Sequence, residues 1–240
     1  MGVNGTDLLL ALLCVVLGAS VQATIGFGAA LVSIPLMLLV NPALVPGPAT
    51  VAGLTVNLIG MRAGAAHADW RGVRWAVVGL VPGTLAAAWA LAHFSGDEVG
   101  VLSATAVLAA VAVSAMGVRP VGGRRVLLAA GMFSGYLNTT AGVGGPPLAL
   151  AYQDAPAKVL RSTLPAVFVI ATVLTMGILV ETGHLDAVDW RTGLLLAPGG
   201  AVGYLLARTW ADRIDGARLR GAVLALSAVS AIAALARIVL

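Results

Sequence analysis

Charge is what this chain has least of. Only 10% of its 240 residues are Asp, Glu, Lys or Arg, while 60% are hydrophobic and the mean hydropathy is +1.00. That balance excludes an ordinary soluble domain. The apolar runs do not alternate with polar positions, which excludes a membrane β-barrel. A single cysteine, Cys14, excludes an internal disulfide and reads as a buried packing thiol. The three histidines, His67, His93 and His184, lie far apart near the ends of apolar runs. No spacing puts two metal ligands together, so no metal and no cofactor is expected. No carboxylate falls deep in an apolar run, and Asp154 and Glu181 sit at run ends. The fourteen basic residues, thirteen of them arginine, are scattered between the runs. Their placement, with a pI near 10.0, points to membrane topology and not to nucleic acid.

What is there is a succession of apolar runs along the whole chain, the pattern of an all-α, polytopic membrane protein. A helix needs roughly 20 apolar residues to cross the ~30 Å hydrocarbon core. The first run, residues 7–40, breaks at Gly26-Phe-Gly28 and divides into segments a (7–24) and b (28–40). Ala19-Ser-Val-Gln-Ala23 resembles a signal-peptide cleavage site, but no basic stretch precedes it and the apolar run continues beyond it, so segment a is expected to be retained. Segments c (45–66), d (73–94) and e (99–117) follow. The second half repeats the order as a′ (126–141), b′ (146–153), c′ (162–181), d′ (192–210) and e′ (219–239).

Two motifs recur in the same order. Gln22-Ala-Thr-Ile-Gly-Phe-Gly28 matches Asn138-Thr-Thr-Ala-Gly-Val-Gly144 in role: an amide, a threonine two residues on (Thr24, Thr140), then paired glycines (Gly26 and Gly28, Gly142 and Gly144). Asp69-Trp-Arg71 before d recurs as Asp189-Trp-Arg191 before d′. The expectation is an internal duplication, 1–118 and 119–240, of about five helical segments each. An odd number per half inverts one half relative to the other. With a and b forming a hairpin, twelve of the fourteen basic residues fall on one face of the membrane. The positive-inside rule then puts that face in the cytoplasm and both termini outside it. Trp70 and Trp190 read as interfacial anchors, and the Asp–Arg pairs beside them as loop ion pairs or helix caps. Arg161 reads as a topology determinant that could also draw anions to the cytoplasmic mouth.

Segment b′, with about eight apolar residues, covers only ~12 Å at 1.5 Å per residue. The hairpin a′–b′, and its counterpart a–b, is therefore expected to dip in and turn back near mid-membrane. Hydrocarbon gives freed backbone groups no water, so helix breaks persist there only where protein or a wet cavity satisfies them. If the hairpins enter from opposite faces, their tips meet. Each presents the N-terminus of a half-helix, with unpaired N–H groups and partial positive charge suited to an anion. Gln22, Thr24, Asn138, Thr139 and Thr140 would add neutral donors. Gly26, Gly28, Gly142, Gly144 and Gly145 would let backbone approach a ligand. The bland alternative is that these small and polar residues only pack helices together. Asn57, a lone polar residue in segment c, could line the site or bond a neighbouring helix, and both readings stay open.

Gln22 to Pro35, the Gly142-Val-Gly-Gly-Pro-Pro147 stretch, Lys158-Val-Leu-Arg-Ser-Thr163 and the repeated Asp-Trp-Arg together resemble the sulfite exporter TauE/SafE family of bacterial membrane permeases. The resemblance spans nearly the whole chain. It implies transport of a sulfur-containing or related organic anion across the bacterial cytoplasmic membrane. The partners expected are that small anion and the lipid bilayer, with homo-oligomerisation left open. Because no carboxylate lies deep in any segment, coupling through an acidic side chain is not expected, and coupling of Na⁺ or H⁺ through backbone carbonyls stays open. Export down the electrical gradient needs no coupled ion. The competing readings are an intramembrane enzyme, which lacks a nucleophile and base at depth, a non-transporting scaffold, whose loops here are short, and an anion channel.

Overall fold

The computed structural model of the chain describes residues 3–95, 123–183, 185–210 and 216–239, with scattered positions between 98 and 112. Most of segment e, the junction of the halves at 118–119, His184, Arg119 and Arg213 lie outside the described residues. The rest is helical: α1 (Gly5–Ile25), α2 (Ala29–Val40), α3 (Gly47–Gly64), α4 (Trp70–His93), α5 (Arg124–Ala141), α6 (Gly145–Ala151), α7 (Ala157–Glu181), α8 (Ala187–Trp210) and α9 (Gly216–Val239). Each corresponds to a segment expected from the sequence. By length and composition, α1, α4 and α7 can cross a membrane. The short arms cannot: α2 has 12 residues and α6 has 7, or about 18 and 10 Å.

The helix ends follow from local chemistry. Asn4 caps α1, its side chain accepting from Asp7 N at 2.9 Å while Asn4 N donates to Asp7 Oδ2 at 3.2 Å, a reciprocal box that satisfies two orphan donors. At the other end Gly26 takes φ 91°, a left-handed conformation that a side chain would resist. Gly142 ends α5 in the same way at φ 69°. The Asp-Trp-Arg motifs are helix starts. Asp69 accepts from Gly72 N at 2.9 Å. Asp186 accepts from Val188 N and Asp189 N, both at 2.8 Å, and Asp189 Oδ2 accepts in return from Asp186 N at 3.1 Å. Of the two roles open to the motif aspartates, the structure shows capping. Trp70 and Trp190 are exposed beside them.

The two halves interlock through glycine seams. In α4, Gly79 and Gly83 lie against the backbone of Leu128 and Met132 in α5. Gly131 and Gly135 of α5 lie in return against Ala76 and Leu80. Any added Cβ would collide with carbonyl oxygen, so only glycine allows this approach. The register rises in both helices, so α4 and α5 run parallel. In a second seam Gly199 and Gly203 of α8 meet Leu12 and Val16 of α1 in the same sense. Gly79 and Gly83 precede Gly199 and Gly203 by 120 residues, and Leu12 and Val16 precede Leu128 and Met132 by 116. These are the two offsets of the sequence motifs. Helices α3 and α7 cross antiparallel, Gly60 against Pro165 and Gly64 against Ser162.

Loop contacts sort the ends of the bundle. At one end Tyr152, capping α6, donates its hydroxyl to Asp69 Oδ2 at 3.1 Å, and Asp69 N donates to Thr163 Oγ1 at 3.0 Å. The Arg124 guanidinium lies 4.0 Å over the Trp75 ring at this end. At the other end Asn41 donates to Asp7 Oδ2 at 2.8 Å, and the Asp189 carboxyl lies against Gly47. The short arms of the two hairpins are thus tied at opposite ends of the bundle.

Candidate substrate site

Between those ends the two hairpin tips touch. Gly145 faces the buried ring of Phe27, whose Cδ2 is 2.9 Å from where a Cβ would sit, and Gly142 faces Ile34 of α2. Ser134 holds the second tip by donating to the Gly144 carbonyl at 2.7 Å. Beside the tips lies a cavity bordered by α1, α2, α3, α5, α6 and α7. It offers about 90 Å³ to the centres of water-sized molecules, where one water needs roughly 10–15 Å³. A small hydrated anion fits that space.

Part of the lining is apolar, with Val15, Leu31, Ile34, Met37, Val56 and Phe168. Among these runs a chain of polar side chains. Gln22 Nε2 donates to Asn57 Oδ1 at 2.7 Å, and Asn57 Nδ2 donates to Thr172 Oγ1 at 3.2 Å. One turn further along α7, Thr175 Oγ1 accepts from Asn138 Nδ2 at 2.9 Å and lies 3.2 Å from Thr139 Oγ1. Gln22, Asn57, Thr172 and Thr175 are all less than 9% exposed. No residue lining the cavity is ionisable.

The backbone adds donors from α2. Its first internal bond runs from Val32 N to the Gly28 carbonyl, and no side chain caps it. The N–H groups of Ala29, Ala30 and Leu31 are thus the orphans of a helix N-terminus, and these residues line the cavity. The second half-helix differs. It is seven residues long, and Pro146 and Pro147 remove two first-turn donors. The symmetric pair of half-helix termini expected from the sequence is, in donors, a lopsided one.

Of the residues singled out from sequence, Gln22, Gly28, Asn57, Asn138, Gly142, Gly144 and Gly145 line the cavity. Thr24, Gly26, Thr139 and Thr140 do not. Thr24 and Thr140 donate back to the carbonyls of Ser20 and Tyr136 at 2.8 and 2.9 Å. Gly26 packs on Leu160 and Arg161, and Thr139 stands behind Thr175. Asn57 lines the cavity and also bonds two other helices, through Gln22 of α1 and Thr172 of α7. The lining residues missed are Thr172 and Thr175, with Ser33 and Thr50. Their signal was available: two hydroxyls three residues apart in the otherwise apolar stretch 171–176, with Thr175 standing 118 residues after Asn57.

The sulfite exporter TauE/SafE family model matches residues 10–234. This chain belongs to the TauE/SafE family. A curated relative, the "Probable sulfite/organosulfonate exporter TauE" of Cupriavidus necator, is 26% identical over 183 residues, covering 69% of this chain and 72% of its own. No solved structure matches the chain. Membership makes the chain a membrane transporter, in keeping with the length and apolar character of α1, α4 and α7.

Proposed function

We propose that this transporter moves a small sulfur-containing or organic anion out of a bacterial cytoplasm by uniport, holding it in the cavity beside the hairpin tips. The observation that carries the reading is the lining itself: amides, hydroxyls and orphan backbone N–H groups, with no carboxylate and no cation. Such a wall solvates an anion without the tight pairing that would trap it. Neutral donors also keep the charge of the loaded site negative, so the membrane field acts on it. Each charge gains ~2.3 kcal/mol per 100 mV on leaving the negative side. An ionisable side chain for proton coupling is not part of the lining.

The matched glycine seams and the antiparallel crossing of α3 and α7 support two inverted repeats, 1–118 and 119–240. The loop groups support a topology in which Asp69, Tyr152 and Arg124 face the cytoplasm and both termini lie outside. Two hairpins that enter from opposite ends and meet at a cavity are the arrangement of alternating-access carriers, and this favours a carrier over a channel.

The test is a thermal-shift screen of the purified protein against sulfite, sulfate, thiosulfate, alkanesulfonates and simple carboxylates, with and without Na⁺. Ligands that bind only the folded state raise its melting temperature. A sulfur anion is expected to stabilise without Na⁺. A requirement for Na⁺ would contradict uniport, and stabilisation by none of the anions would contradict an anion site beside the hairpin tips.

A further inference from the structure

The hydrogens of the two cavity threonines can be placed from their neighbours. In this protein several helical hydroxyls bond backward along their own helix. Ser20, Thr24, Ser33, Thr50 and Thr140 each donate to the carbonyl four residues earlier, at 2.7–2.9 Å. That habit removes a hydroxyl from ligand chemistry. Among the described residues Thr172 and Thr175 make no such bond. Instead the oxygen of each accepts from an asparagine, Asn57 for Thr172 and Asn138 for Thr175. A hydroxyl has one hydrogen and two lone pairs. With an amide donating into the oxygen, the hydrogen must point elsewhere, and both side chains border the cavity; Thr175 also lies 3.2 Å from Thr139 Oγ1, and its hydrogen is free for the cavity when Thr139 is the donor of that pair.

Gln22 gives a hydrogen to Asn57 Oδ1, which leaves Asn57 to present its NH₂ group to Thr172. Residues three apart on a helix stand ~5–6 Å from each other. Two hydroxyls at that spacing can each donate at ~2.7 Å to different oxygens of one oxyanion. We propose that Thr172 and Thr175 are the hydroxyl donors that hold the transported anion, with Gln22 and Asn57 as positioning residues that turn the Thr172 hydrogen into the cavity. The proposal rests on the reading of this cavity as the anion site. It makes α7 the helix on which both halves converge, since Asn57 comes from the first half and Asn138 from the second.

The test is anion uptake and efflux in proteoliposomes, with sulfite and an alkanesulfonate, for wild type and four variants. Thr172→Val and Thr175→Val keep the shape and remove the hydrogen. Thr172→Ser and Thr175→Ser restore it. The expected result is a rise in KM of about tenfold or more for each valine variant, with KM near wild type for each serine variant. Gln22→Leu, tested alongside, should raise KM in the presence of Thr172 and add little on top of Thr172→Val. Wild-type transport with unchanged KM in both valine variants would overturn the donor assignment while leaving the anion site standing. Equal loss in valine and serine variants would make the threonines packing residues. Failure of wild type to move either anion would remove the site and this inference with it.

Discussion

Replacing Asn57 by aspartate exchanges a single NH₂ for oxygen, so the shape of the site is kept and its electrostatics reversed. In the native chain Asn57 donates to Thr172 at 3.2 Å. A carboxylate in its place can only accept, so Thr172 must turn its hydrogen away from the cavity and toward the new oxygen. A bound anion touching Thr172 would then lie within ~6 Å of a negative charge. At an effective dielectric of about 20 that repulsion is ~3 kcal/mol per charge, or roughly a hundredfold weaker binding. The assay is calorimetric titration of purified N57D with an alkanesulfonate, an anion whose charge does not vary across the pH range used. The introduced carboxyl repels only when it is ionised. Affinity should therefore fall as pH rises in N57D and stay level in wild type. The bond from Gln22 survives the change, so the protein should stay folded while the carboxyl is protonated, with melting temperature falling as pH rises and the buried carboxyl ionises. Wild-type affinity in N57D at high pH, with the protein folded, would refute the claim that an anion sits against this wall.

Other expectations follow from the same geometry. Asn138→Ala should weaken anion affinity, whereas Thr140→Ala should spare it, because the Thr140 hydroxyl is spent on the Tyr136 carbonyl; calorimetry on the pair decides, and equal losses would put Thr140 in the site. In the α4–α5 seam, Gly79→Leu should prevent assembly of the monodisperse protein. By contrast Gly177→Ala, at an exposed helical position with open space around it, should stabilise by up to about 1 kcal/mol; size-exclusion profiles and melting curves test both. Burial, and the Asp69 charge beside it, push the Tyr152 hydroxyl well above its usual ionisation range. A folded-state value raised in this way means the Tyr152–Asp69 bond is fully present at neutral pH and is lost only as pH climbs above the ordinary tyrosine range. Tyr152→Phe should therefore cost about 1.5 kcal/mol at pH 7, the low end for a bond to a charged group, seen as a melting temperature lower by about 3–6 °C, with the difference shrinking in strong alkali.

Most of the helical framework was legible in the sequence, because the breaks are made by residues with few alternatives. Gly26, Gly28 and Gly142 take positive φ, a conformation few other residues adopt. Asp69 announced the start of α4 by capping chemistry. The partners of the helices were less legible. Seams such as Gly79–Leu128 are made of backbone against backbone, and an apolar run does not say which of its glycines will be covered. The candidate site was half legible. Gln22 and Asn138 stood out as amides at breaks, yet their bonding partners lie 35 and 37 residues away on other helices. Thr172 and Thr175 escaped notice because hydroxyls in membrane helices usually satisfy themselves on the preceding turn. Only the approach of Asn57 and Asn138 distinguishes these two from Thr24 and Thr140.

The central claim is that a bare anion crosses by way of the neutral cavity, and flux under an imposed voltage tests it most directly. Purified protein in liposomes loaded with sulfite, with a potassium diffusion potential setting the interior negative, should release sulfite faster as the potential grows. At 100 mV each charge contributes ~2.3 kcal/mol, enough for a roughly fiftyfold gradient at equilibrium, and no Na⁺ or proton gradient should be needed. Efflux indifferent to voltage, or driven only by an imposed cation gradient, would contradict the account.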